Sequence, residues 1–133
     1  MALIVLDASV LIGLERTSDP HHEAAERAMR RYLRDDLVIP ASVFAEILVA
    51  PFRSGRHAVD AVDQLLHDLA IRIEPVTAAV ARTAARIRSR HRSIRLPDAF
   101  VLALGEELGA DVVLTANDRW TGIQRRVKLV QTL

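Results

Sequence analysis

Leu3-Ile4-Val5-Leu6-Asp7-Ala8-Ser9 is the stretch that decides the fold. Four apolar residues without polar alternation fit a strand covered on both faces, as in a parallel sheet between layers of helices. A carboxylate, two small residues and a second apolar run, Val10-Leu11-Ile12-Gly13-Leu14, follow at once and read as strand tip and short buried helix. A strand of this kind lies centrally in a doubly wound α/β domain, and its C-terminal tip is where such folds hold their ligands. Asp7 stands on that tip. The question for the rest of the chain is whether other acids arrive there.

Downstream, strands and helices alternate. Asp19-Pro20 predicts a helix start, with Asp19 as N-cap and Pro20 in the first turn. Ala24, Ala25, Ala28, Met29, Tyr32 and Leu33 supply its apolar stripe. His21 and His22 read as surface. Leu37-Val38-Ile39 is a second buried strand stopped by Pro40, and the helix from Ala41 to about Phe52 is apolar on nearly every side, with Glu46 its only charge. An amphipathic helix over His57–Leu69, an alternating edge strand at Ile71–Ile73 and an alanine-rich helix from Pro75 follow. Pro97 starts a helix running to Leu108 with Gly109 as its cap, Asp111–Leu114 is a fourth strand, and Val127–Val130 a last one. The expected architecture is a three-layer α/β sandwich, a mainly parallel sheet of four to five strands flanked by helices, in one domain spanning residues 1–133. Right-handed crossovers then bring every C-terminal strand tip to one edge.

Composition narrows the function classes. A chain of 133 residues with 50% hydrophobic and 26% charged residues builds a core and is not disordered. The absence of cysteine excludes disulfides, thiolate metal sites and a cysteine nucleophile. No apolar run approaches membrane-spanning length and the first residues lack a secretory pattern, so the expected place is the cytoplasm. Of the 18 basic residues only Lys128 is a lysine. Aromatic residues make up 4%, too few for a base-stacking platform; Trp120, Tyr32, Phe44, Phe52 and Phe100 read mostly as core.

Four acidic positions fall at strand tips or helix starts. Asp7 ends the first strand, where it serves either as a helix cap or as a site residue. Glu46 sits on an apolar helix with no base three or four residues away, and an unpaired buried charge is costly. Asp98 opens a helix, Ala99-Phe100-Val101-Leu102-Ala103-Leu104, that is hydrophobic all round and therefore buried. Thr115-Ala116-Asn117-Asp118 follows the fourth strand, with Asn117 or Asp118 turned to the site. Carboxylates gathered without a cation repel one another, and an all-oxygen set without Cys or His calls for Mg²⁺ or Mn²⁺. Such a site suits attack of water on a phosphodiester. Ser9 is placed to hydrogen-bond a water or a phosphate oxygen. Arg82, Arg86, Arg88, Arg90, Arg92 and Arg95 run without an intervening acid into the Asp98 helix and suit a nucleic-acid backbone or an acidic protein partner.

Leu6-Asp7-Ala8-Ser9, the lone Glu46 after Ile39-Pro40, Leu96-Pro97-Asp98-Ala99 and Leu114-Thr115-Ala116-Asn117-Asp118, in that order, resemble the PIN domain, and within it the VapC-type toxins of bacterial toxin–antitoxin pairs. The resemblance spans Leu3 to Val130. It implies a Mg²⁺- or Mn²⁺-dependent endoribonuclease, a homodimer, and a cognate antitoxin that holds it inactive. Asp7, Glu46 and Asp98 match the family's three main acids, as metal ligands and catalytic residues. Thr115 and Ser9 fall to positioning substrate or water, and Arg86, Arg90, Arg92 and Arg95 to contacting RNA or antitoxin. The family's fourth acid stands two residues after the Thr, where this chain has Asn117, with Asp118 next. Two other readings stand beside this one: a PIN-fold binding protein without catalysis, and a phosphoryl-receiver or phosphohydrolase module. The second lacks the Asp two residues after Asp7 that a haloacid-dehalogenase site needs, since Ser9 is there.

Overall fold

The computed structural model describes residues 1–133. Five strands, β1 (Leu3–Leu6), β2 (Asp36–Pro40), β3 (Arg72–Glu74), β4 (Val112–Thr115) and β5 (Val127–Leu129), form one sheet in the order β3-β2-β1-β4-β5. Every pairing is parallel. Six helices flank the sheet: α1 (Ala8–Glu15), α2 (His22–Tyr32), α3 (Ala41–Ser54), α4 (Arg56–Asp68), α5 (Ala78–Arg90) and α6 (Leu96–Leu108). Ile4, Val5, Leu6, Leu37, Val38, Ile39, Val113 and Leu114 are buried, as continuous apolar strands between helix layers require. No helix is long and apolar enough to cross a membrane.

The chain leaves β1 toward β2 and β3, then returns across it to lay β4 and β5 on the other side. The order therefore reverses between β1 and β4, the crevice where open α/β sheets bind ligands. In register, Leu6 faces Leu114, and the Asp7 N–H donates to the Leu114 carbonyl at 3.0 Å, so the tips of β1 and β4 lie side by side.

Local chemistry explains where the elements depart from expectation. Asp19 does not cap α2. Its Oδ1 accepts from the His21 N–H at 2.8 Å and closes a turn, so α2 begins at His22. His22 is not simply surface: its ring nitrogens bridge the Gly13 carbonyl (2.7 Å) and Glu26 (2.8 Å), tying α1 to α2. The alanine-rich helix starts later than Pro75, because Thr77 takes the N-cap and accepts from the Val80 N–H. Helix α3 is not buried all round, since Val49 is 50% and Phe52 69% exposed. Phe52 thus lies outside the core, whereas Trp120 is wholly inside it.

Helix α6 crosses the sheet closely because Gly105 carries no side chain; a Cβ there would meet Val113 Cγ2 at 2.5 Å. Overpacking of this kind costs about 1–3 kcal/mol. Gly105→Ala is expected to lower the urea-unfolding free energy by that amount, and Val113→Ala in the same chain to give part of it back. An alanine variant as stable as the parent would show that α6 does not depend on this approach.

Candidate active site at the β1–β4 edge

Asp7 is the most buried acid of the chain, 7% exposed at the β1 tip. It stands at the N-cap position of α1, yet its side chain makes no capping hydrogen bond. Instead Ser9 Oγ donates to Asp7 Oδ2 at 2.7 Å and Thr115 Oγ1 donates to the same oxygen at 2.8 Å. The two hydroxyls are themselves fixed: Ser9 Oγ accepts from the Ala116 N–H and Thr115 Oγ1 from the Asn117 N–H, each at 3.0 Å. Both donors fall on Oδ2, which leaves Oδ1 without a side-chain donor. Burial pushes the Asp7 carboxyl up, the two hydroxyls pull it back, and the charge of Asp98 raises it again.

Glu46 reaches the same edge from the second turn of α3, and Asp98 from the first turn of α6. Glu46 is an exposed rim residue, so the cost of a buried unpaired charge is not what places it there. Partial desolvation, then the charges of Asp7 and Asp98, raise its carboxyl, while Arg95 lowers it. Asp98 is half-buried; desolvation raises it and Arg95 opposes most strongly, followed by the indole of Trp120, the Arg95 backbone and Arg119. The Trp120 Nε1–H is buried with no acceptor in good hydrogen-bond geometry, and the nearby Asp98 carboxyl is the charge it serves. Asp98 thus acts on Asp7, and both act on Glu46, which puts the three carboxylates in one electrostatic neighbourhood.

The loop after β4 contributes less acid than expected. Asn117 Oδ1 accepts from the Arg119 N–H at 3.0 Å and caps the short 3₁₀ turn Asp118–Trp120. Asp118 is exposed and is not among the charges that raise the other three acids. Of the arginine run, Arg95 acts on the site, while Arg90 and Arg92 are exposed where α5 gives way to α6. Arg86 points elsewhere and pairs with Glu106 across the α5–α6 contact, as Thr83 does with Glu107. Arg119 and Trp120 were not expected in the site; only their closeness to Asn117-Asp118 in sequence hinted at it.

The donor set fits a hard divalent cation in kind: all oxygen, three acids, one oxygen of Asp7 unengaged. No three acids or histidines stand close enough together to form a ready-made metal-ligand cluster.

The chain belongs to the PIN domain family, whose model matches residues 4–126. No curated protein matches it by sequence. Among solved structures, a toxin–antitoxin complex from Klebsiella pneumoniae is 20% identical with a TM-score of 0.79, covering 96% of this chain and 97% of that one. FitAcB from Neisseria gonorrhoeae is 20% identical with a TM-score of 0.77, covering 98% and 99%. VapC20 from Mycobacterium tuberculosis, described as a toxin that cleaves the sarcin–ricin loop, is 23% identical with a TM-score of 0.69, covering 83% and 86%. At these identities the likeness is one of fold.

Because folding raises the Asp7 carboxyl, its ionised form is disfavoured in the folded chain. The penalty is full above the folded pKa and absent below the unfolded value of about 3.9. Metal-free Asp7→Asn, which keeps an oxygen for Ser9 and Thr115, is expected to be more stable than the parent at pH 7 by about 0.5–2 kcal/mol. The gain should shrink as the pH falls toward 4. Urea titrations across this range check it, and a variant weaker than the parent at neutral pH would mean that the carboxylate is stabilised where it stands.

Proposed function

We propose that this chain is a Mg²⁺- or Mn²⁺-dependent endoribonuclease, the toxin of a toxin–antitoxin pair. The observation that carries the reading is the buried Asp7 carboxylate at the β1–β4 crevice, fixed through one oxygen by the Ser9 and Thr115 hydroxyls, with Asp98 close enough to raise it and Glu46 raised in turn by both. Asp7 and Asp98, with Glu46 at the rim, would hold the cation. When bound, it activates water and stabilises the charge that develops on a phosphodiester.

The chain's own residues divide the remaining work. Ser9 and Thr115 lock Asp7 in one orientation, so its free oxygen is presented without a search among rotamers. Arg95 and Arg119 temper the acid cluster and offer phosphate contacts at its mouth, extended by Arg90 and Arg92. The Asn117 oxygen is spent on the 3₁₀ turn, which leaves its amide nitrogen free to order water. Asp118 takes a place at the rim.

Two partners belong to this reading. A cognate antitoxin is supported by a neighbour that is itself described as a toxin–antitoxin complex. A homodimer is supported by the exposed Val49 and Phe52 on α3 and by an apolar hollow of about 290 Å³ between α3 and α6 that the exposed Leu96 lines. The phosphoryl-receiver alternative loses ground because Lys128 is an exposed residue of the edge strand β5, two strands from Asp7.

Purified, antitoxin-free protein should cut structured RNA in Mg²⁺ or Mn²⁺. Asp7→Asn and Asp98→Ala are each expected to lower the rate by about 10²–10³-fold, and Asn117→Ala and Asp118→Ala by less than about tenfold. Full activity in Asp98→Ala would remove it from the site. Separately, Mn²⁺ at 100 times its Kd should raise the unfolding free energy of the parent by about 2.7 kcal/mol and leave an Asp7→Asn/Asp98→Asn chain unmoved. A parent that neither cuts RNA nor responds to Mn²⁺ would be a PIN-fold binding protein.

A further inference from the structure

Beyond Asp118 the chain carries Arg119, Arg125, Arg126 and Lys128 and no acid. Arg119 lies at the acid cluster. The segment after it runs back along the flank of the sheet, because β5 must enter parallel to β4 from the opposite edge. There Ala110, Asp111, Gln124, Arg125, Arg126 and Lys128 line an open hollow of about 620 Å³.

Its charge is positive and unspent. Arg125 and Lys128 are exposed and make no ion pair. Arg126 is anchored by its guanidinium to the Gly105 carbonyl, an interaction that keeps its charge. Arg126 ends the turn that leads into β5 and Lys128 is the middle residue of that strand, and both line the hollow. Asp111 is the single acid of the hollow, and one of its oxygens accepts from the Leu3 N–H at 2.8 Å. The nearest acids of α6, Glu106 and Glu107, are engaged toward α5 by Arg86 and Thr83.

A strand rise of about 3.3 Å per residue puts this hollow about 17 Å from the acid edge, measured from Asp111 to Ala116 along β4. Phosphates recur about every 3.4 Å along each strand of a duplex, so the gap matches about five base pairs. We infer that the β5 flank is a second phosphate-backbone contact, which grips a helical arm of the RNA while the strand to be cut lies at the acids. The substrate class is then a folded RNA with a stem, not a short single strand. The inference rests on the ribonuclease reading for what happens at the acids, but the grip itself does not need catalysis.

The test separates the two. Binding is followed by fluorescence anisotropy in a chelator, with a stem-loop RNA of about twelve base pairs and, as a second probe, its loop sequence alone as a short single strand. Arg125→Gln/Lys128→Gln changes two exposed residues outside the acid site, and an unchanged urea midpoint confirms its fold. It is expected to weaken the stem-loop by on the order of tenfold, to reduce the slope of log K against log salt by about two, and to leave the single strand and its cleavage unchanged. Stem-loop affinity and slope equal to the parent's would overturn the inference, and so would equal losses on both probes. If the parent cuts no RNA yet the variant loses the stem-loop, the flank stands and the ribonuclease reading falls. Cleavage of stem-loops by the variant at the parent's rate and affinity does the reverse.

Discussion

The parallel pairing of β1 with β4 is the constraint on which everything else depends. Leu6 opposite Leu114 brings the Asp7 backbone onto the Leu114 carbonyl. One residue further along each strand, a carboxylate and a hydroxyl from positions 108 apart in sequence meet at 2.8 Å. A one-residue slip would turn Thr115 to the opposite face and leave a buried carboxylate with a single donor. The apolar strands therefore do two things at once. They make the core, and their register sets the chemistry at its edge.

Much of the fold was legible because its signals are strong and local. Unbroken apolar runs mark Leu3–Leu6 and Leu37–Ile39 as interior strands, and Gly109 in the left-handed conformation, φ 62°, ends α6 where its position after Leu108 suggested. The start of α2 was not legible, because Asp19 has two neighbouring amide donors to choose between and takes the one that closes a turn. The exposed face of α3 was not legible either. Apolarity on all sides reads as burial, yet Val49 and Phe52 face outward, which a single chain's pattern cannot distinguish from an inward face.

The same division holds at the site. Asp7, Glu46 and Asp98 stand out in sequence because each is an acid in an apolar setting, and the structure brings their charges to bear on one another. Arg119 and Trp120 do not stand out, since an arginine and a tryptophan in a polar loop have many uses. Their role follows from the 3₁₀ turn, which tucks the indole into the core beneath Asp98. Asn117 serves the turn through its oxygen, which accepts from the Arg119 N–H, and as a neutral amide it brings no charge to the edge. The three remaining acids must then be balanced by fewer neighbours than four would need, and Arg95 and Arg119 supply a balance that is partial.

A partial balance is what the proposed cation site requires. Were Arg95 buried against both Glu46 and Asp98, the pair energies would satisfy the acids and leave nothing for a metal. Arg95 is exposed, so its attraction is weakened by solvent, and the desolvation of Asp7 is offset only in part, by the hydrogen bonds it accepts. The chain thus holds a destabilising carboxylate in its best-packed region, fixed on one oxygen by two hydroxyls and open on the other. A stable fold tolerates such a group only because the surrounding strands over-determine its position. On the proposed reading, stability given up at the β1 tip would return as binding free energy for a divalent cation.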